Sequence, residues 1–355
     1  MNKLLISAAG LCAGLCLVQD AGAWGQEGHM LVGQIAYNHL DPQVKARCDM
    51  LMTQAVQYAS SINSNFVTGT VWADDIKSFT SAYSTQHYID LPISLDGYPT
   101  NGVVYDPTNV VTAIQQHVAT LQNPSATLSN QAVALRFLLH FVGDMSQPLH
   151  CSTGVSTNNH DDAGGNGFSL GSGNLHSFWD GGGGYLSNSY TRPLTPSGQS
   201  TLSNRAAIVE AAYPYSLSVG TIPDPWDWAY EGREIARTNT YVGITNGVPP
   251  STSYTNRARA TTEQRMAIGG QRLAKLLNTI MVTNGPAFTS VNFANNNFGL
   301  SWGSVSGRSY RVQWKQQITD LDWSNLVDLT AATSSMSYTD TTSQAQRFYR
   351  VIVVN

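Results

Sequence analysis

The sequence has few cysteines and few charged residues. Of its four cysteines, Cys12 and Cys16 lie within the first 23 residues, which leaves Cys48 and Cys151 in the rest of the chain. Two cysteines do not make a disulfide scaffold, and their spacing matches no thiolate zinc motif, although they could still pair in an oxidising compartment. Charged residues make up 12% of the 355 residues, the net charge is -4, and no long run of one sign occurs. This composition excludes a basic, tail-bearing nucleic-acid binder.

A single extended apolar run stands at the N-terminus. Lys3 precedes an apolar segment from Leu4 to Val18, and Ala21-Gly22-Ala23 follows. A positive start, a short apolar run and an A-x-A site are typical of a secretory signal peptide, and the run is short for a membrane span. We therefore expect residues 1–23 to be removed, giving a secreted or periplasmic protein without a membrane anchor that begins at Trp24. An uncut N-terminal anchor is the alternative.

Residues 24–285 are predicted to be mainly helical. Apolar residues recur at helical spacing in three segments, which are Met30–Leu40, Ala132–Val142 and Met266–Ile280. Asp41-Pro42 marks the end of the first helix and the start of the next. Two stretches rich in glycine and polar residues, 152–173 and 181–184, predict loops.

Residues 286–355 have a different character. Short runs of alternating apolar residues, such as 309–314 and 347–353, lie between clusters of Ser, Thr, Asn and Gly. This pattern predicts strands of a small antiparallel sandwich. No histidine follows residue 176, so this module carries no cluster of titratable groups. We interpret it as an accessory binding or spacer module; the alternative is a sheet that caps the helical domain.

Histidines and aspartates recur in the helical region at suggestive positions. His140 and Asp144 are four residues apart, as are His176 and Asp180, and this spacing puts each pair on one face of a helix. Imidazole and carboxylate are the zinc ligands of proteins that lack thiolates. Two such pairs, together with His29, His87 and His150, predict a metal site. The other three histidines are interpreted as ordinary residues: His39, His117 and His160.

Seven motifs occur in a recognisable order: WGQEGH (24–29), WADD (72–75), HYID (87–90), HFVGD (140–144), QPLH (147–150), GGN (164–166) and NLHSFWD (174–180). The order resembles that of the zinc-dependent single-strand-specific nucleases and 3′-nucleotidases secreted by fungi and plants. A more distant similarity is to bacterial zinc-dependent phospholipase C. The resemblance covers residues 24 to about 285. It implies a mainly helical catalytic domain of the phospholipase C/nuclease type, followed here by the small all-β module.

The resemblance also implies three zinc ions and their ligands. The first ion would take Asp74, His87, His140 and Asp144, and the second would take His150, His176 and Asp180. The third would take His29, Asp144, and the amino nitrogen and carbonyl oxygen of Trp24. A main-chain amine has a pKa near 8 and can lose its proton to a metal. Signal cleavage would therefore create a ligand.

The implied reaction is hydrolysis of phosphodiester bonds in single-stranded DNA and RNA to 5′-phosphate products, with 3′-nucleotidase activity. Asp74 would be the catalytic residue that orients the attacking water. Lys77, Tyr88 and Asn166 would contact substrate; their alternatives are a surface lysine, a core aromatic and a loop turn. No protein partner is predicted.

Two other functions stay open. A phospholipase C-like lipid phosphodiesterase is the first, although that family has glutamate where Asp180 stands. A zinc-sequestering or adhesive protein is the second. Gly181–Gly184 also depart from the family pattern near the base pocket, so the base preference is not predicted.

Overall fold

The computed structural model describes residues 24–123, 125–216, 224–281, 288–304, 307, 309–320, 322–342, 344 and 346–353. The predicted signal peptide lies outside these ranges. Ten α-helices occur in the described part of the chain: α1 (Gln26–Asn38), α2 (Pro42–Met52), α3 (Phe66–Gly69), α4 (Trp72–Asp75), α5 (Val110–Gln122), α6 (Leu128–Asp144), α7 (Leu175–Asp180), α8 (Pro196–Ala212), α9 (Pro225–Ile235) and α10 (Thr252–Ile280).

Shorter turns and strands complete the chain. The 3₁₀ turns are Ile76–Ser78, Ser84–His87, Pro148–Cys151 and Gly182–Gly184, and a π-helical turn covers Ala236–Thr240. The strands are β1 (Pro92–Ser94), β2 (Thr153–Val155), β3 (Phe288–Ala294), β4 (Asn297–Gly303), β5 (Ser309–Lys315), β6 (Ser324–Thr330), β7 (Ser335–Thr341) and β8 (Phe348–Val353). The predicted mainly helical fold with a C-terminal set of strands is therefore confirmed.

The core of the helical region is built around α1. Every residue of α1 from Glu27 to Ala36 is buried, because the helix packs against α3, α6, α8 and α10. Small residues allow the close approach of α10, since a side chain on Gly270 would come within 2.5 Å of Ile35. A helix buried on all sides is fixed in rotation, which gives the side chains that it carries a defined direction.

Local sequence signals set several helix boundaries. Pro42 occupies the first turn of α2, where its missing N–H costs nothing. The Asn174 side chain caps α7 by accepting a hydrogen bond from the Ser177 N–H at 2.8 Å. The helix α6 ends at Asp144, and Gln147 caps the 3₁₀ turn that Pro148 begins. A turn therefore separates Asp144 from His150, and the helix stops before the proline.

Strands β1 and β2 pair in parallel, Pro92 with Thr153 and Ser94 with Val155. The prediction of a loop over 152–173 is wrong at β2, because the backbone of Thr153–Val155 pairs with β1. The pairing continues towards the N-terminal ends of the strands, where the Ile89 N–H donates to the His150 carbonyl at 2.8 Å. It therefore holds the HYID and QPLH motifs side by side.

The C-terminal strands form two three-stranded antiparallel sheets, in the orders β3-β4-β7 and β6-β5-β8. Both sheets contribute to one apolar cluster that includes Trp302, Tyr310, Val312 and Val351. The predicted small sandwich is therefore present. The last helix ends at Ile280 and β3 begins at Phe288. The predicted boundary at 285/286 falls between them, outside the described residues, and stays a prediction.

Candidate metal centre

Eight buried or half-buried histidine and aspartate side chains gather in the helical region. They form three groups in which each residue offers a ligand atom within 4.8 Å of the others: His29, His140 and Asp144; Asp74, His87 and His140; and His150, His176 and Asp180. These eight are the side chains that the sequence predicted as metal ligands. They come from α1, α4, α6, α7 and two 3₁₀ turns, so the tertiary fold brings them together.

The first two groups share His140. Its Nε2 atom lies 3.2 Å from Asp144 Oδ1, one helical turn away, and 3.5 Å from Asp74 Oδ1. His87 Nδ1 lies 3.1 Å from the same nitrogen and 3.0 Å from Asp144 Oδ2. The His140 Nδ1–H donates to the Thr70 carbonyl at 2.6 Å. The lone pair on His140 Nε2 therefore points into the cluster.

His29 is fully buried, and neither of its ring nitrogens has a hydrogen-bond partner among the described residues. Its Nε2 atom lies 3.4 Å from Asp144 Oδ1. The space for the ring exists because residue 143 is glycine, since a side chain there would come within 2.8 Å of His29 Nδ1. An unsatisfied buried imidazole is costly, and a metal ion would satisfy it.

The third group is held by the main chain. His150 Nδ1–H donates to the His87 carbonyl at 2.7 Å, and His176 Nδ1–H donates to the Gly164 carbonyl at 2.7 Å. Hydrogen bonds of this kind fix the orientation and tautomer of metal-binding imidazoles. Asp180 Oδ2 lies 3.6 Å from His176 Nε2, and its Oδ1 accepts from the Gln147 side chain at 2.8 Å. Both imidazoles therefore offer lone pairs to a cation near Asp180.

Burial shifts the pKa values of most of the cluster towards the neutral forms, whereas for His140 the charges of Asp144 and Asp74 outweigh desolvation and raise the pKa. Desolvation raises the pKa of Asp144 to about 8 and the pKa of Asp180 well above its usual range. Desolvation also lowers the pKa of His176 to about 4. Bound dications would reverse the effect on the carboxylates by favouring their charged forms. Neutral imidazoles, buried carboxylates and unsatisfied ring nitrogens together fit divalent cations.

Asp74 differs from the other two aspartates in its exposure and charge. Its side chain is 21% exposed, whereas that of Asp144 is fully buried. Desolvation raises its pKa, but His140 and Lys77 outweigh that effect and hold the pKa well below its usual range. Lys77 Nζ lies 2.7 Å from Asp74 Oδ1, and the Lys77 side chain is 15% exposed. Lys77 is therefore held against the cluster.

Trp24, the predicted first residue of the mature chain, is fully buried beside this cluster. Its indole N–H donates to the Ser146 hydroxyl at 2.7 Å. The next residue, Gly25, donates its N–H to the Asp180 carbonyl at 3.0 Å. Trp24 is therefore anchored through its side chain to Ser146, and the next residue is anchored through its main chain to Asp180.

A pocket of about 170 Å³ opens beside the third group; its lining includes His150, His176, Tyr88, Asp90 and Asn166. Tyr88 and Asn166, both predicted to contact substrate, therefore lie next to the candidate ligands. Asp90 belongs to the HYID motif but was given no role from the sequence. Desolvation and the charges of Asp161 and Asp162 raise its pKa to about 7. The position of Asp90 three residues after the candidate ligand His87 was the signal in the sequence that could have indicated a role.

The remaining histidines and cysteines lie outside the cluster. His39 pairs with Glu210, His117 stacks on Phe137 and His160 stacks on Tyr98, as expected of ordinary residues. Cys48 and Cys151 are both free and buried, so the open possibility that they pair is excluded. No helix of the described residues is both long enough and apolar enough to cross a membrane.

The chain is similar to several known proteins. The family model S1/P1 Nuclease matches residues 24–282. Endonuclease 1 of Arabidopsis thaliana is 29% identical over 75% of this chain and 90% of its own length. Nuclease S1 of Aspergillus oryzae is 28% identical over 79% of this chain and 98% of its own length. Among solved structures, the Alpha Toxin from Clostridium absonum covers 92% of this chain and 84% of its own, with 9% identity and a TM-score of 0.40.

Proposed function

The chain belongs to the S1/P1 nuclease family, and we propose that it is a secreted zinc-dependent endonuclease. It would hydrolyse phosphodiester bonds of single-stranded DNA and RNA to 5′-phosphate products and act as a 3′-nucleotidase. The observation that carries the proposal is the convergence of eight buried or half-buried histidine and aspartate side chains beside a pocket.

Three zinc ions are proposed, with the ligand sets that the sequence predicts. Asp74, His87, His140 and Asp144 would hold the first, and His150, His176 and Asp180 the second. His29, Asp144 and the Trp24 amine and carbonyl would hold the third. When bound, the ions would lower the pKa of water and offset the negative charge of the phosphate. The hydrogen bonds of His140, His150 and His176 to carbonyls support this assignment.

Asp74 is proposed to orient the attacking water. Its partial exposure leaves one edge of the carboxylate accessible to solvent, unlike that of Asp144. Because Lys77 and His140 hold its pKa low, Asp74 would accept a hydrogen bond well and keep a proton poorly. Its main effect would therefore be on the position of the water. Lys77, fixed beside it, would place positive charge near the phosphate.

The pocket is proposed to take a nucleobase. Tyr88 offers an aromatic face for stacking, and Asn166 and Asp90 offer polar groups for the edge of the base. A base can enter a recessed pocket beside the cluster only when it leaves the stack. This requirement would favour single-stranded substrates, whose bases unstack at low cost.

Secretion and domain organisation are part of the proposal. Removal of residues 1–23 would expose the Trp24 amine next to Asp180. The segment 286–355 would be a separate accessory module, and the end of α10 at Ile280 and the separate apolar cluster of the strands support that division. N-terminal sequencing of the exported protein, and activity of a chain ending at residue 285, test these two points.

The test of the function uses the chain beginning at Trp24. Single-stranded DNA, duplex DNA, RNA, a 3′-nucleotide, a 5′-nucleotide and a phosphatidylcholine analogue are assayed side by side, before and after chelation and zinc replacement. We expect zinc-dependent cleavage of single strands and of the 3′-nucleotide, with 5′-phosphate ends. Hydrolysis of the lipid analogue alone would favour the phospholipase alternative. If none of these substrates is hydrolysed in a metal-dependent way, the proposal that the protein is a metal-dependent hydrolase is refuted.

A further inference from the structure

Asp162 is a buried carboxylate outside the candidate ligand set. It is 2% exposed, and no ion pair of the described residues includes it. Its Oδ1 atom accepts main-chain N–H bonds from Gly154 at 2.7 Å and from Gly165 at 2.8 Å. The Tyr241 hydroxyl donates to Oδ2 at 2.9 Å. The Thr153 hydroxyl lies 3.1 Å from Oδ1, but Asp161 Oδ1 is the nearer acceptor for its single proton, at 2.6 Å. Such charge-assisted bonds are among the strongest in proteins.

These donors come from three parts of the chain. Gly154 belongs to β2, Gly165 belongs to the GGN turn, and Tyr241 follows the π-helical turn. A side chain on Gly154 would come within 2.5 Å of Asp162 Oδ2, so the strand is fitted closely to the carboxylate. Asp162 therefore fastens the GGN turn to β2 on one side and to Tyr241 on the other.

The turn in question contacts His176 directly. Gly164 and Gly165 have φ values of +64° and +85°, a left-handed conformation that side chains other than glycine rarely adopt. In this conformation the Gly164 carbonyl accepts from His176 Nδ1 at 2.7 Å, and the Gly165 carbonyl accepts from the His176 N–H at 3.3 Å. Ala163, Gly164 and Asn166 of the same turn also line the pocket.

We propose that Asp162 is a positioning residue that acts through the Gly164-Gly165 turn, fixing the tautomer and direction of the His176 ring and one wall of the pocket. Tyr241 supports it from the far side. As far as metal binding is concerned, the inference rests on the proposed function, because it takes His176 to be a zinc ligand. The geometric part, which concerns the His176 ring in the protein itself, does not require the metal.

Three variants separate positioning from general stability. Asp162→Asn keeps the size of the side chain but replaces one acceptor oxygen by an NH₂ group, which faces the hydrogen-bond donors that surround Asp162. Tyr241→Phe removes a single hydroxyl donor. Asp96→Asn is the matched control, because Asp96 is an exposed carboxylate that also accepts main-chain N–H bonds, from Thr157 and Tyr98, but does not contact the turn. Zinc content is measured after dialysis against graded free zinc, together with thermal unfolding.

We expect Asp162→Asn to lower the affinity for one of the bound zinc ions about 10- to 100-fold, the usual effect of losing a residue that supports a metal ligand. The affinities for the other zinc ions should not change. Tyr241→Phe should lower the affinity for the same zinc ion by a smaller factor, and Asp96→Asn should leave all zinc affinities unchanged. If Asp162→Asn lowers the affinity for every bound zinc ion equally and also lowers the unfolding temperature, its role is generally structural and the proposal is overturned. Unchanged zinc binding would overturn it as well.

A metal-free readout distinguishes failure of this inference from failure of the proposed function. In the metal-stripped protein, nitrogen–proton correlation spectra should show His176 as the Nδ1–H tautomer in the unmodified chain and in Asp96→Asn. In Asp162→Asn the ring should show a mixture of tautomers. If the tautomer does not change, Asp162 does not position His176, whatever the protein hydrolyses. If the unmodified chain binds no zinc, the metal-binding part fails together with the proposed function.

Discussion

The Nε2 atoms of His150 and His176 lie 3.0 Å apart, while the Nδ1–H of each ring donates to a main-chain carbonyl on the opposite side. Each ring therefore carries its proton away from the other, and two lone pairs face each other. Burial lowers the pKa of both rings, so protonation at neutral pH does not relieve the repulsion. A cation bound by both nitrogens would relieve this repulsion.

This relationship predicts that metal removal destabilises the protein. Each ion held only by the native state stabilises it by about 4 kcal/mol when free zinc is 1,000 times its dissociation constant. Chelation should therefore lower the unfolding temperature measured by calorimetry, and zinc should restore it. His176→Gln should lower the bound zinc by about one per chain, whereas His160→Gln, at an exposed histidine stacked on Tyr98, should not. Unchanged zinc content in His176→Gln would contradict this assignment.

The position of Trp24 predicts that the free amine matters. A chain with one extra Met before Trp24 should lose about one zinc and most of its activity, because an amide nitrogen cannot replace the amine as a ligand. The matched control is the same chain after the extra residue has been removed by an aminopeptidase. Metal analysis and nuclease assays of both forms give the result. Full activity of the extended chain would mean that Trp24 is only a buried tryptophan bonded to Ser146.

Asp74 and its neighbour Asp75 should respond differently to substitution. Asp74→Asn should reduce kcat about 10²- to 10⁴-fold, the range of an acid–base or water-orienting group. Asp75 instead forms an ion pair with Arg192 at 2.5 Å and accepts from Asn63. Asp75→Asn should therefore lower the free energy of unfolding and leave kcat nearly unchanged. Steady-state kinetics and urea unfolding of the two variants measure the contrast; equal kcat values would remove Asp74 from the proposed chemistry.

Tyr88 should affect substrate binding more than zinc binding. If it stacks on a base, Tyr88→Leu should raise KM about 10-fold, since stacking contributes about 1–3 kcal/mol per base. Tyr88→Phe keeps the aromatic face and should keep most of the affinity. Zinc content should be the same in both variants. A KM for Tyr88→Leu equal to that of the unmodified chain would assign Tyr88 to packing alone.

His117 predicts an acid sensitivity that is independent of the metal. Burial lowers its pKa from 6.5 to about 4, so between these values the unfolded chain binds more protons than the native one. Stability is therefore lost as the pH falls from 6.5 to 4, by up to about 3 kcal/mol. His117→Gln should flatten this part of the curve of unfolding free energy against pH, and His160→Gln should not. Parallel curves for His117→Gln and the unmodified chain would contradict the depressed pKa.

Local parts of the site could be predicted from the sequence. The pairs His140–Asp144 and His176–Asp180 follow from the helical repeat, since four residues make about one turn. The convergence of His29 and His87 on them did not follow from any spacing, because it depends on how α1 and the 3₁₀ turn Ser84–His87 pack against α6. It was predicted through the order of the motifs. Packing between distant segments leaves no local signal in the sequence, whereas the ordered motifs of a family indicate which distant residues meet.

Other features depend on tertiary contacts that no motif carried. Cys48 lies in α2 with its Sγ 3.6 Å from Met281 Sδ, and Cys151 lies under Gly232 of α9. Their different surroundings exclude a disulfide that composition left open. Asp162 has no local signal in the sequence, because its proposed role depends on the strand pairing of β2 and on the turn at Gly164. Carboxylates that bind main-chain N–H groups are hard to tell from surface aspartates in a single sequence.

The spacing of the proposed ligands also bears on the unfolded chain. The three ligand sets run from Asp74 to Asp144, from His150 to Asp180 and from Trp24 to Asp144, so each bound ion would close a ring of chain between residues that are distant in the sequence. Ring closure of that size restricts the unfolded ensemble much as a covalent cross-link does, with a cost that grows only slowly with length. In a chain whose two described thiols stay separate, the ions would then be reversible cross-links. The supply of free metal, more than any redox couple, would set how long the folded state survives.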